Sequence, residues 1–167
     1  GTNRTAFWRG EVDKYGWVDM GSSYLPSDML AAFLLGQLEN RESIQAKRRS
    51  VWNYYNENLH EWCSRFGVRQ PYISPACEQP FHMYYLLFPS LKVRQNFIQY
   101  LRQNGINAVF HYLPLNTSRM GEKFGGKPGD CPVTERISDQ LVRLPLHMKL
   151  SEDDLAYVME TISKFSY

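Results

Sequence analysis

Hydrophobic spacing along the chain changes character at Pro26. Before it, Phe7, Trp8, Tyr15, Trp17 and Tyr24 stand among polar residues and glycines at 1, 10, 16 and 21, with no helical period. That pattern predicts an extended, loop-rich arm. Its large aromatics need a surface to cover, either on this chain or on material outside it. After Pro26, Ser27 or Asp28 is placed to cap a helix running through Met29, Leu30, Ala32, Phe33, Leu34 and Leu35. Apolar nearly all round, such a helix is expected to be buried on several sides.

A second, longer helix is predicted from about Arg41 to Phe66. Ile44, Val51, Tyr55, Leu59, Trp62 and Phe66 form one stripe, with Lys47, Arg48 and Arg49 on the solvated face and Gly67 as a left-handed C-cap. Pro71, Pro75 and Pro80 mark a connection, and Phe81 to Phe88 reads as a buried strand stopped by Pro89. Ser90 opens a helix with the stripe Val93, Phe97, Ile98 and Leu101, ended by Gly105. Ile106 to Tyr112 is a second strand. Leu113 to Pro132 is a long loop, of a length that in compact domains is functional or disordered. A short helix near Thr134 to Val142 and a short edge strand, Arg143 to Leu146, follow. The last helix is capped at Ser151–Asp154 and carries Leu155, Val158, Met159, Ile162 and Phe165. The order of elements defines an α+β fold, helices packed on one face of a small, mostly antiparallel sheet.

Composition narrows the picture. The 167 residues suffice for one domain with a real core, and 43% hydrophobic with 22% charged residues is ordinary for a globular chain. Basic and acidic side chains number 19 and 17, too even for a nucleic-acid footprint. The longest apolar stretch, Met29 to Gly36, is far too short to span a bilayer. The opening residues are polar, without a signal-like apolar segment. Cys63, Cys77 and Cys131 are widely spaced with no C-x-x-C pair, so neither disulfides nor structural zinc are expected, and a reducing cytoplasm fits.

No self-sufficient catalytic machinery is visible. His60, His82, His111 and His147 form no metal-spaced pair, and no nucleophile elbow, phosphate loop or dinucleotide fingerprint is present. Gly125 to Gly129 reads as a flexible loop tip. Three places carry groups a ligand could use. Gly21-Ser22-Ser23-Tyr24, ahead of a helix, either suits a bound phosphate or simply caps that helix. At the end of the second strand, His111 and Tyr112 open into the sequence Leu113-Pro114-Leu115-Asn116. His111 either donates to a substrate hydroxyl or phosphate oxygen, or is a satisfied structural histidine. On the arm, Asn3, Arg4, Arg9, Lys14 and Tyr15 either clamp an anion such as a pyrophosphate or are ordinary surface groups.

Several stretches, in order, resemble one family. They are Gly1-Thr-Asn-Arg-Thr, Asp13-Lys-Tyr, Trp17-Val-Asp-Met-Gly-Ser-Ser-Tyr-Leu-Pro-Ser and Ala31-Ala-Phe-Leu-Leu-Gly-Gln-Leu-Glu39. Asn104-Gly-Ile, His111-Tyr-Leu-Pro-Leu, Leu144-Pro-Leu and Leu150-Ser-Glu-Asp-Asp continue the series. The chain is similar to sugar-nucleotide aminotransferases of the DegT/StrS type. Within that type it resembles the dTDP-4-amino-4,6-dideoxygalactose transaminases, which serve enterobacterial common antigen and related lipopolysaccharide biosynthesis.

The resemblance implies the C-terminal portion of a fold-type-I transferase dependent on pyridoxal 5'-phosphate. Such an enzyme works as a cytoplasmic homodimer, with the N-terminal half of the same enzyme as a partner. Residues 1–25 would be an extended arm from the large domain and dimer interface, and 26–167 the small domain with its leading helices. The implied reaction converts a dTDP-4-keto-6-deoxyhexose to its 4-amino sugar, with glutamate as donor. Ser23 and Tyr24 would approach the cofactor phosphate of the neighbouring subunit, and His111 and Tyr112 would line the nucleotide-sugar site. Arg4 and Lys14 of the arm are the further substrate-binding candidates. No residue here is implied as catalytic, because the lysine that holds the cofactor and moves the proton lies upstream in this family. The chain alone is therefore expected to be inactive. Leu25 stands where many relatives carry Arg, and Asn116 where the loop often carries His, so neither contact transfers. A non-catalytic α+β domain for dimerisation or regulation is the alternative. A histidine-based hydrolase lacks a paired base or nucleophile. No metal, nucleic-acid or membrane partner is expected.

Overall fold

The computed structural model describes residues 3–14, 16, 18, 20–21 and 24–167. The chain divides into two compact units, residues 1–41 and 42–167.

In the first unit the arm is not extended throughout. A short helix, α1, spans Arg4–Trp8, and Asn3 clamps Gly16. The Asn3 amide donates to the Gly16 carbonyl at 3.3 Å, and Gly16 N–H donates to Asn3 Oδ1 at 2.8 Å. Helix α2, Asp28–Glu39, begins at Ser27, whose Oγ accepts from Leu30 N–H, so serine rather than aspartate is the cap. The expected burial of α2 is not found. None of its residues is buried, and Met29, Leu30, Phe33, Leu34, Leu35 and Leu38 all expose more than half their surface. The apolar character is real, but it stands uncovered among the described residues.

The second unit holds the core. The predicted long helix is two: α3, Arg41–Asn58, and α4, His60–Arg65. The break sits at Leu59, after Asn58 turns its side-chain amide onto the Tyr54 carbonyl at 2.8 Å, a local bond that competes with helix continuation. Gly67 ends the pair at φ +61°. Strand β1 is Tyr84–Leu87, shorter than predicted. Helix α5, Leu91–Gln103, starts at Ser90, whose Oγ accepts from Val93 N–H, and stops at Gly105 with φ +74°. Strand β2 is only Val109–Phe110. The loop after it contains a short helix α6, Arg119–Lys123. Helix α7 is Pro132–Gln140, with proline at its first position, and β3 is Leu141–Leu144. Helix α8, Glu152–Ser163, carries a full capping box between Ser151 and Asp154.

The sheet order is β1-β3-β2, antiparallel at both junctions. The predicted edge strand is thus the central one. Its residues explain this: Leu141, Val142 and Leu144 are all buried, more than a half-solvated edge would bury. Tyr84 pairs with Leu144 and Leu86 with Val142, and these four fill the covered face. Tyr85, Arg143 and Val109 line up on the other face, half-buried. Against the covered face pack Val51, Trp52 and Tyr55 of α3, Trp62 and Cys63 of α4, Phe97 and Leu101 of α5, and Leu155, Val158 and Ile162 of α8. Phe97 is the aromatic hub, with ring centroids 4.6 Å from Phe88, 5.1 Å from Phe165 and 5.9 Å from Trp62. The arrangement is α+β, helices on a three-stranded antiparallel sheet.

Candidate functional site

The site is built where β2 ends. Arg143 of β3 donates from Nε to the Phe110 carbonyl at 3.3 Å, tying down the last residue of that strand. His111 follows, half-buried, its ring tilted 60° against Tyr112 at 5.0 Å between centroids. His111 Nδ1 is shielded from solvent and has no hydrogen-bond partner among the described residues. A shielded ring nitrogen without a partner costs free energy, and such an atom is normally satisfied. Tyr112 is 78% exposed, and Leu113 and Leu115 stand out beside it.

The long loop is ordered by polar contacts rather than left free. Ser118 Oγ donates to the Leu115 carbonyl at 2.7 Å and accepts from Gly121 N–H at 3.0 Å, starting α6. Gly121 and Gly126 lie flat against the strand-exit backbone. A Cβ on Gly121 would sit 1.8 Å from the Leu115 carbonyl oxygen, and one on Gly126 2.7 Å from that of Asn116. Gly125 to Gly129, read as a flexible tip, is instead held at its end, where Gly129 N–H donates to Glu135. The Glu135 carboxyl lies below its ordinary value, first because Asn116 donates to it, then through Gly129 and Cys131.

The other sequence candidates fall in the first unit. Arg4 opens α1 and is half-buried, and Lys14 is exposed. They flank the two ends of the Asn3–Gly16 clamp. Arg9 pairs with Glu11 at 3.5 Å, both exposed, an ion pair of little energetic weight. Tyr24 is 91% exposed. Ser23 lies outside the described residues. Of the candidates, the structure brings His111 and Tyr112 together.

Two features escaped sequence reading. Glu135 and Asn116 meet across the loop, although their spacing of 19 residues matches no motif. His82 and His147, far apart in sequence, line one cleft with Asn107 and Arg143 on the open side of the sheet. Among the described residues no group of His, Cys, Asp and Glu could hold a metal ion, and no helix is long and apolar enough to cross a membrane.

The three-stranded antiparallel sheet under helices is shared with part of the fold of solved aminotransferases. The chain belongs to the DegT/DnrJ/EryC1/StrS aminotransferase family, whose pattern it matches over residues 2–163. It is 22% identical to the dTDP-3-amino-3,6-dideoxy-alpha-D-galactopyranose transaminase of Aneurinibacillus thermoaerophilus, over 95% of this chain and 41% of that one. It is 24% identical to the dTDP-4-amino-4,6-dideoxy-D-glucose transaminase of Shigella dysenteriae, over 90% and 42%. A Streptococcus pneumoniae protein assigned as a sugar aminotransferase shares the fold in its apo-form. Its TM-score is 0.82 at 24% identity, over 97% of this chain and 39% of that one. That protein is also known in PLP- and PMP-forms. The chain spans about two fifths of the length of the relatives it matches.

Covalent attachment of pyridoxal phosphate is made through a lysine amine. That amine needs a lowered proton affinity. Of the seven lysines all but the half-buried Lys47 are exposed. Lys164 is shifted the wrong way, its proton held more tightly by Glu160 at 2.6 Å.

Proposed function

We propose that this chain is the C-terminal, substrate-lining part of a pyridoxal-phosphate-dependent sugar-nucleotide aminotransferase. The intact enzyme moves an amino group from glutamate to a dTDP-4-keto-6-deoxyhexose and works in the cytoplasm as a homodimer. Its product belongs with the amino sugars of enterobacterial common antigen and related glycans. The cofactor, when bound, supplies the electron sink for amino transfer. This chain's part is binding. His111 and Tyr112 set an imidazole beside an exposed phenol ring, a pairing suited to a hydroxyl or phosphate oxygen with a sugar or base edge alongside. Arg4 and Lys14 add positive charge towards a pyrophosphate. Ser23 and Tyr24 approach the cofactor phosphate of the neighbouring subunit.

The observation that carries this reading is the His111 ring set against an exposed Tyr112 at a strand exit, within a chain of this family. The bare apolar surface of α2 supports a docking role within a larger enzyme, since six large apolar side chains stand uncovered there. It is the surface we assign to the N-terminal half and the dimer.

The test is steady-state kinetics on the intact enzyme with its cofactor. With glutamate and the dTDP-4-keto sugar, NMR of the product should show a 4-amino sugar. The named relatives include both 3-amino and 4-amino enzymes, so turnover of the 3-keto isomer with none of the 4-keto sugar would refute the 4-keto assignment. His111→Ala should raise KM for the nucleotide sugar without changing KM for glutamate. An unchanged sugar KM would remove His111 from the site.

A further inference from the structure

One carboxylate in the second unit gathers a whole loop, and the proposed binding function does not use it. Glu135 stands in the first turns of α7. Its Oε1 accepts from Asn116 Nδ2 at 2.7 Å, from Gly129 N–H at 2.9 Å and from Cys131 N–H at 3.2 Å, while Oε2 accepts from Gly129 N–H at 3.0 Å. Asn116 Nδ2 also donates to the Lys127 carbonyl at 2.9 Å. The start of the loop, residue 116, is thereby pinned to its end, residues 127–131.

The pin has a counterpart. Arg143 holds the Phe110 carbonyl. Residues 111–115 are suspended between these two polar anchors. Tyr112, Leu113 and Leu115 point outward, and Pro114 is the buried foot. Gly121 and Gly126 close against the backbone of 115 and 116, where a side chain on either would force the span away. A short segment fixed at both ends has few alternative conformations, so its exposed groups are presented with little ordering cost on binding.

We propose that Glu135 is the positioning residue of this span: through Asn116 it fixes where His111 and Tyr112 meet the nucleotide sugar. The assignment rests on the reading that residues 111 and 112 line that site. The carboxylate is the chemistry required. Oε1 takes all three donors, two of them backbone N–H groups, Oε2 shares Gly129 N–H, and the negative charge strengthens each bond. A glutamine with its oxygen at Oε1 loses that charge and turns its NH2 group towards Gly129 N–H, a donor facing a donor. An aspartate is one methylene too short to reach both ends.

The experiment uses the intact, cofactor-loaded enzyme and compares Glu135→Gln, Asn116→Ala and, as a check on the underlying reading, Tyr112→Ala. Glu135→Gln is expected to raise KM for the nucleotide sugar roughly tenfold or more, as displacement of a binding segment does. KM for the amino donor should stay within about twofold, because that substrate does not depend on the same contacts. Amide hydrogen exchange should speed up across residues 113–131 and nowhere else, and Asn116→Ala should reproduce both effects. If Tyr112→Ala raises the sugar KM while Glu135→Gln leaves it unchanged, the positioning role is wrong and the binding site stands. If neither changes it, the binding reading itself fails and takes the proposal with it. Equal losses for both substrates, with faster exchange throughout the second unit, would make Glu135 a general folding residue and overturn the assignment.

Discussion

Replacing Tyr55 with Phe removes a single oxygen from the centre of the second unit. Tyr55 is fully buried, and its hydroxyl donates to the Pro145 carbonyl at 3.0 Å, joining α3 to the chain just beyond the central strand. The phenyl ring keeps its contact with Tyr84 at 5.3 Å, so the loss is confined to one hydrogen bond. A neutral hydrogen bond contributes about 0.5–1.5 kcal/mol net, and a buried carbonyl left without its donor costs about 1–3 kcal/mol. Pro145 is only half-buried, so water can partly replace the lost donor. We expect a cost of about 1–2 kcal/mol. Tyr84 supplies the comparison. It is equally buried, but Gln70, which donates to its hydroxyl at 2.9 Å, also donates to the Asn56 carbonyl at 2.8 Å. Tyr84→Phe leaves Gln70 satisfied and should cost about 0.5 kcal/mol. Urea unfolding followed by the fluorescence of Trp52 and Trp62, both in this core, reads the difference directly. A Tyr55→Phe cost no larger than that of Tyr84→Phe would refute the assigned weight of the Pro145 contact.

Two further outcomes follow from the same core. Burial raises Tyr55 and Tyr84 above the ordinary 10.0 and pushes the Cys63 thiol from 9.0 to about 12. The folded state therefore keeps protons that the unfolded state gives up. The stability from these groups is intact below pH 9 and falls by about 1.4 kcal/mol per pH unit per group once the unfolded value is passed. Urea midpoints should be flat to about pH 9 and drop steeply above 10, and a flat profile to pH 11 would contradict it. A thiol reagent at neutral pH should titrate Cys77 and Cys131, both exposed, and reach buried Cys63 only on unfolding. Rapid labelling of all three in the folded protein would sink that expectation.

What could be read from sequence depended on how local the cause was. Ser27, Ser90, Ser151, Gly67 and Gly105 declared helix ends, because a cap is settled by residues three or four positions apart. The heptad-like stripe from Ile44 to Phe66 was legible, but not the break at Leu59, which turns on which carbonyl the Asn58 side chain selects. The place of Leu141–Leu144 in the sheet was misread, since strand order is decided by partners 30 and more residues away. The apolar run of α2 was seen and its burial wrongly expected, because periodicity reports what a helix needs, not whether this chain supplies it. At the site, His111 and Tyr112 stood out as polar aromatics at a strand end. Glu135 gave no signal: it reads as one more helical glutamate until the fold sets Asn116, Gly129 and Cys131 around it.

The strand order also sets a timetable. The strand that separates β1 from β2 is the last to be synthesised, so neither earlier strand has its ladder partner until residue 144 has left the ribosome. Through that interval β1 and β2 are open edges, the kind that pair with the wrong neighbour. Helices α3 to α5 can form while the chain waits, but they have no completed sheet to seal against. A nascent chain halted before Leu141 would have β1 held only by the Arg69–Leu87 bridge, β2 without its ladder, and an aromatic core without its floor. The decisive step in making this domain is thus the insertion of four residues between two strands already present.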